Sequence, residues 1–333
     1  MNSFGRILKV SIFGESHGAS VGITVDGLPA GMPLFLEDFV TDIERRKGGT
    51  QKGVTPRQES DMPIFKSGLF NDKTTGAPLT MIFENNNTRS GDYDKLRAVP
   101  RPGHADFVAH QKFGGFEDYR GGGHFSGRLT VCLVAAGVIA KKLLKQLSIT
   151  ASLLEIGGET DIEKGLQKAI DAKDSIGGIV ECRVSGLPVG LGNPFFDSVE
   201  SVISHAVFAI PAVRGIEFGT GFQAAKMFGI EHNDAIIDGL GTTQTNHAGG
   251  VVGGITNGNE FVFRIAIKPT SSTPKEQHTW NWETNSMDEF SVKGRHDLCI
   301  ALRVPVVLEA VTALVLADLY MLERHIPTIY TES

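Results

Sequence analysis

Residues 304–322, VPVVLEAVTALVLADLYML, are apolar at nearly every position. A helix that is apolar all round has to be covered on every side. Two carboxylates, Glu309 and Asp318, interrupt the run. That pattern reads as a helix buried inside protein rather than a membrane span. A second apolar helix is expected in LTVCLVAAGVIAKKLLKQL (129–147), entered from the glycine-rich turn RGGGHFSG, with Ser126 or a neighbour as its cap. Further helices are expected at 36–49, from 161 onward and from 198 onward.

Strands are expected where apolar residues alternate: ILKVSIF and VGITVDG around GESHG (14–18), a hairpin in 65–85, then SITASLLEIGGE, GIVECRVSGLP and EFVFRIAIK. Several of these follow one another with no helix between them, which a doubly wound parallel sheet does not show. The expected architecture is therefore α+β, one domain over 1–333, with mixed or antiparallel sheets. Residues 50–65 and 86–107 read as polar loops, the second long enough to suggest a functional role.

The 333 residues include 40 glycines, where average usage gives about 23. Such an excess points to tight turns and to backbone held close to ligands. The net charge of −6 argues against nucleic-acid binding but leaves room for a local basic pocket. Cys132, Cys182 and Cys299 are too scattered for a structural zinc site. The opening MNSFGRILKVSIF lacks the apolar core of a signal peptide. The expected setting is cytoplasmic, with no membrane association.

GESHG fits the G-x-S-x-G pattern of a hydrolase nucleophile elbow around Ser16. That elbow requires a helix after the serine, whereas ASVGITVDGLP alternates like a strand. The serine-hydrolase reading is set aside, and attention moves to His17. Three other histidines sit in glycine-flanked or charged loops: His104 in RPGHAD, His247 in TNHAGG and His296 in KGRHD. Their spacing carries no metal signature, but imidazoles suit proton transfer near neutral pH. Arg45, Arg46, Lys52, Arg57, Arg101, Arg120, Arg128, Arg295 and Arg303 also fall in or beside such loops. If they converge, they form a pocket for a multiply charged anion. RGGGHFSG, opening a helix, suits an anion or a flavin phosphate.

Taken in order, FGESHGASVGITVDGLPAG, RRKGGTQKGVTPRQESD, SGLFNDKTTGAPL, RPGHADFVAHQKFGGFEDYRGGGHFSGR, GLPVGLGNPFFD, IPAVRGIEFGTGF, NHAGGVVGGITNG, KPTSS and KGRHDLCIALRVPVVLEAVTALVLAD resemble the chorismate synthase family over almost the whole chain. The resemblance implies a 1,4-anti elimination of phosphate from 5-enolpyruvylshikimate 3-phosphate, giving chorismate, with reduced FMN required and no net redox change. It implies a β-α-β sandwich and a homotetramer.

By the same resemblance, His17 protonates the departing phosphate, His104 adjusts flavin protonation near N1, and Asp297 assists proton removal at flavin N5. Flavin contacts fall on His124, Phe125, Ser126, Pro211, Ala212, Gly253, Lys268, Pro269, Thr270, Ser271, Ser272 and Arg295. Arg46 and Lys52 match nucleotide-binding (NADP) positions, and Arg45, Arg46 and Arg128 are assigned to the substrate anions. His124 and Phe125 stand where the family often has Arg and Ser, and Lys52 where it often has Arg. The expected enzyme is monofunctional and relies on an external supply of reduced flavin. A flavin- or phosphate-binding protein without catalysis is the alternative that the altered HFSGR keeps open.

Overall fold

The computed structural model describes residues 1–47, 53, 61–86, 97–292 and 297–325. Lys52, Arg57, Arg295 and His296, and most of the two polar loops at 50–65 and 86–107, lie outside these residues.

The first half of the chain builds one sheet. Its strands are β1 (Ser3–Phe4), β2 (Lys9–Gly14), β3 (Ser20–Asp26), β4 (Ile64–Ser67), the small hairpin β5 (Leu69–Phe70) and β6 (Lys73–Thr74), and β7 (Leu79–Glu84). β1-β2-β3-β7-β4 form the five-stranded sheet in that order, every pair antiparallel. Asn71 and Asp72 turn the β5–β6 hairpin with positive φ at both positions, the geometry of a tight two-residue turn.

The second sheet uses β8 (Ser148–Ile156), β9 (Gly178–Ser185), β10 (Val213–Phe218) and β13 (Phe261–Ile267), in the order β10-β13-β9-β8, again antiparallel throughout. Hairpins β11 (Val251–Val252) with β12 (Ile255–Thr256), and β14 (Gln277–Asn281) with β15 (Ser286–Phe290), stand apart from it. The helices are α1 (Glu37–Lys47), α2 (Asp106–Phe113), α3 (Thr130–Leu143), α4 (Ile162–Ala172), α5 (Val199–Val207), α6 (Gly229–His232) and α7 (Val304–His325).

Period-two patterning puts one face of each sheet inward. Val21, Ile23 and Val25 of β3 are fully buried, directly opposite Phe83, Met81 and Leu79 of β7. Val180, Cys182 and Val184 of β9 do the same beside Phe261, Phe263 and Ile265 of β13. α3 packs on the first sheet, α7 on the second, and the two helices pack on each other. The result is sheet, helices, sheet: a β-α-β sandwich whose central layer is the pair of apolar helices. Both helices belong to one continuous core cluster with both sheets. They touch at Gly137, where a Cβ would fall 2.3 Å from that of Ala310. Only a glycine permits that approach.

α7 is long and apolar enough by composition to cross a membrane, yet 78% of its most apolar window is buried within this chain. The two carboxylates inside the apolar run, Glu309 and Asp318, are both hydrogen-bonded. Glu309 accepts from Arg45 through both oxygens at 2.7 Å, from Lys141 at 2.9 Å and from the Ala151 N–H at 3.0 Å. Asp318 accepts the backbone N–H groups of Arg6, Ile7 and Leu8 at 2.9, 2.7 and 2.9 Å. This second set pins the chain entering β2 to α7, and so fixes where the β2–β3 turn sits.

The α+β reading and the buried helices hold. The sheets are antiparallel rather than mixed. The β14–β15 hairpin, α2 and α6 lay outside the sequence reading, because each is short and none has a clean apolar period.

Candidate active site

GESHG is the β2–β3 turn. Gly14 has φ +93°, and a Cβ there would lie 2.4 Å from the Ser20 carbonyl oxygen. A strand follows, not a helix, which removes the nucleophile-elbow geometry. Against this turn lies the RGGG turn. The Ser16 N–H donates to the Gly123 carbonyl at 3.0 Å. The His124 Nδ1 lies 2.8 Å from the Gly14 carbonyl oxygen. A carbonyl only accepts, so Nδ1 of His124 carries the proton.

Gly121, Gly122 and Gly123 all have positive φ (60°, 80° and 52°). Gly123 packs against backbone, where a Cβ would fall 2.0 Å from the Asp118 carbonyl oxygen, while Gly121 and Gly122 face two imidazoles. A Cβ on Gly121 would fall 2.2 Å from Cε1 and Nδ1 of His17, and one on Gly122 3.2 Å from Nε2 of His104. The triplet therefore brings backbone against both histidines. Ser126 then caps the next turn, its Oγ accepting the Arg128 N–H at 3.3 Å.

A buried charge cluster joins Arg46, Asp61 and Arg128. Arg46 at the end of α1 donates to Asp61 at 2.8 Å, and Arg128 also donates to Asp61. All three are less than 8% exposed. Burial lowers the Arg46 guanidinium to about 10; Asp61 opposes this, and the charges of Arg303 and Arg128 add to it. Burial would raise the Asp61 carboxyl, but Arg46 and Arg128 hold it below the usual range. One carboxylate thus serves two guanidinium groups and leaves an excess positive charge. Arg303 donates to the Arg46 carbonyl at 2.7 Å and to Asp297 at 3.1 Å.

The second histidine has its own carboxylate. Asp106, first residue of α2, lies 2.5 Å from Nδ1 of His104 and accepts from Arg101 Nε, Nη2 and backbone N–H at 2.7, 2.8 and 3.0 Å. Burial pushes Asp106 up, but these bonds more than offset it and hold the carboxyl well below its usual range. Lys268 donates to Ser271 Oγ at 2.9 Å and to the Gly103 carbonyl at 3.0 Å, tying residues 268–272 to the loop that carries His104.

These groups surround one cavity of about 1280 Å³. His17, His104 and Asp297 line it. So do His124, Phe125, Ser126 and Arg128 after the glycine triplet, Pro211 and Ala212 after α5, and Lys268, Thr270, Ser271 and Ser272 after β13. Arg46 lines it from α1. Six described cations in the wall, Arg46, Lys47, Arg101, Arg128, Lys268 and Arg303, face three carboxylates, Asp61, Glu289 and Asp297. In a chain of net charge −6 this concentrates positive potential where a ligand would sit. α7 contributes one apolar face, Val304, Val307, Val311 and Leu314, at helical spacing.

Three expected positions do not line the cavity. Arg45, expected at the substrate, is instead paired with Glu309 and Asp42. Gly253 sits in the β11–β12 turn with nothing within 4 Å of a Cβ. Pro269 is absent from the wall although both its neighbours are in it. His247, singled out in TNHAGG, bonds Thr220 Oγ1 at 2.8 Å and lies outside the wall. Lys52 and Arg295 lie outside the described residues. The sequence does not single out Asp61, Asp106, the N-terminal residues 1–4, Phe290 at the end of β15, or Ser291 and Val292 after it. Asp106 had a signal, two residues from His104 within RPGHAD. Asp61 pairs with Arg128 across 67 residues and had none. Burial drives the Cys132 and Cys182 thiols up to about 12, so neither serves as a thiolate nucleophile.

The family model described as chorismate synthase matches residues 8–321. A chorismate synthase of Chitinophaga pinensis is 70% identical, covering 98% of this chain and 98% of its own length. One from Dehalococcoides mccartyi is 41% identical, covering 98% and 99%. A solved chorismate synthase crystal structure superposes with a TM-score of 0.74 at 24% identity, over 96% of this chain and 93% of that one; at that identity it speaks to the fold.

Proposed function

Because the chain belongs to the chorismate synthase family and is therefore a carbon–oxygen lyase, we propose that it eliminates phosphate from 5-enolpyruvylshikimate 3-phosphate to give chorismate, with reduced FMN as cofactor. The observation that carries this reading is a cavity with excess cationic charge, with His17 and His104 among the histidines in its wall, in an acidic protein. The substrate brings two carboxylates and a phosphate, which such a wall suits.

The residues present fit a flavin. A cavity of about 1280 Å³ exceeds the roughly 300–1,000 Å³ of a single small-molecule site, leaving room for cofactor and substrate together. Ser126, Ser271, Ser272 and Lys268 are donors of the kind a ribityl phosphate takes. Pro211, Ala212, Phe125 and the α7 valines offer the apolar surface that a ring system takes. The chemistry supplied by bound reduced FMN is transient electron donation, recovered before product leaves.

The chain's own residues then divide the work. Arg46 and Arg128 hold substrate oxygens by charge. His17 gives a proton to the phosphate oxygen as the C–O bond breaks and that oxygen takes the electron pair. Asp297, held by Arg303, is the carboxylate on the path of the ring proton. The ring loses one proton and one phosphate and gains one double bond, so no net oxidation occurs.

We further read the enzyme as monofunctional. Anaerobic reaction with chemically reduced FMN is expected to turn over, and NADPH with oxidised FMN, without an added reductase, is expected not to. Sustained turnover in the second mixture would overturn that part of the reading. We also read it as a homotetramer. Support comes from large exposed apolar side chains between 222 and 240: Phe222, Phe228, Ile230, Ile237 and Leu240 are each 62–87% exposed, more than a free surface ordinarily carries in one segment. A solution mass of four chains is expected, and a mass of one chain would contradict it.

A further inference from the structure

We propose that Asp106 is a positioning residue that holds His104 as its Nδ1–H tautomer, so that Nε2 faces the glycine triplet and the cavity as a bare acceptor. The inference rests on the reading of His104 as an active-site residue, but its first test does not need the reaction.

The argument is one of donors and acceptors. Nδ1 of His104 has two neighbours, Asp106 Oδ1 at 2.5 Å and Arg101 Nη2 at 3.1 Å. The arginine contact alone is compatible with a bare nitrogen. The carboxylate contact is not, because two lone pairs at 2.5 Å repel. Asp106 stays ionised. Burial works against its charge, but three N–H bonds from Arg101 and the contact with His104 more than offset this. It therefore only accepts, and the proton lies on Nδ1. Arg101 keeps a better partner in the same Oδ1, at 2.8 Å.

The rest of the geometry fixes the direction of the ring. Asp106 opens α2, and its backbone cannot slide along the helix. Arg101 is 6% exposed and clamps the carboxylate from the other side, also reaching Ser272 Oγ at 3.4 Å. On the far edge of the imidazole, Cε1 and Nε2 lie over Gly122 at the distance where a Cβ would crowd them. In the neutral ring, Nε2 is thus the acceptor that lies beside Gly122. This is the same logic by which a carboxylate sets the tautomer of a catalytic histidine elsewhere.

The test is the tautomer itself, read from 15N chemical shifts of the full chain labelled with 15N-histidine, without flavin, at a pH about two units above the ordinary imidazole pKa of about 6.5. The His104 signals are identified by their loss in His104→Gln. Wild type is expected to show a protonated Nδ1 and a bare Nε2. Asp106→Asn is expected to move the proton to Nε2, because the amide turns its oxygen to Arg101 and its NH2 to the ring. A protonated Nε2 in wild type would overturn the proposal, and so would an unchanged tautomer in folded Asp106→Asn. If Asp106→Asn does not fold, the wild-type spectrum decides alone. In the lyase assay, Asp106→Asn is expected to lower kcat on the order of 10²-fold with little change in KM, and Asp106→Glu to recover part of the loss. Equal kcat in wild type and Asp106→Asn would count against the proposal. Absence of lyase activity in wild type would count against the functional reading and leave the spectroscopic result standing.

Discussion

His17→Ala is expected to lower kcat by about 10²–10⁴-fold, the contribution of a positioned general acid. KM should move little, because the guanidinium groups of Arg46 and Arg128 remain in the wall. The fold should survive. His17 lies on a turn held by backbone bonds, the Ser16 N–H to Gly123 among them, and those do not involve its side chain. Steady-state kinetics under anaerobic conditions with reduced FMN measure the effect. Near-normal turnover would remove His17 from the chemistry and leave the phosphate to depart on charge stabilisation alone.

Gly121→Ala is expected to be nearly as damaging, although it adds one methyl group to a residue that touches no substrate in this account. Two separate effects operate. A left-handed backbone costs a non-glycine residue roughly 1–2 kcal/mol, which shows as a lower unfolding temperature. The new Cβ would also sit 2.2 Å from the His17 ring, so the ring or the turn must move by about an ångström. A displacement of that size at a reacting group costs on the order of 10²-fold in rate. Gly127→Ala is the control: it lies in the same glycine-rich stretch, yet a Cβ there meets nothing within 4 Å. It should leave stability close to wild type; because Gly127 lines the cavity, it controls for folding and not for turnover. Wild-type turnover in Gly121→Ala would mean that the His17 position is not sensitive to the triplet.

Much of this was legible in the sequence where a local pattern had only one physical solution. The run 304–322 is apolar on all faces and carries two carboxylates, so it had to be a protein-buried helix. The structure supplies the partners, Arg45 and Lys141 for Glu309 and three backbone N–H groups for Asp318. GESHG could be judged a strand–turn–strand from the alternation that follows it. The adjacent pair Arg45 and Arg46 was also decidable, but was read as one unit. Phe39, Ile43 and Arg46 are four and three residues apart and share the buried face of α1, while Arg45 points elsewhere.

The parts that were not legible depend on long-range contact. Nothing in RRKGGTQKGVTPRQESD says that its final aspartate meets Arg128, because that pairing is made by the β3–β7 sheet and the start of α3. Residues 1–4 and 290–292 reach the cavity only because β1 and the β14–β15 hairpin are placed there by the tertiary fold. The triplet RGGG was read as an anion cradle because glycine-rich turns before helices commonly are. What the sequence could not show is that Gly121 and Gly122 also let backbone approach His17 and His104, and Gly123 the Asp118 carbonyl.

The central claim is that this cavity performs a flavin-dependent elimination. It is tested most directly by mixing the protein anaerobically with reduced FMN and 5-enolpyruvylshikimate 3-phosphate, and following chorismate absorbance and phosphate release together. The account predicts that the two products appear in equal amounts, over many turnovers, with the flavin still reduced at the end. Binding of reduced FMN with no chorismate formed, or turnover that proceeds equally well without any flavin, would contradict it.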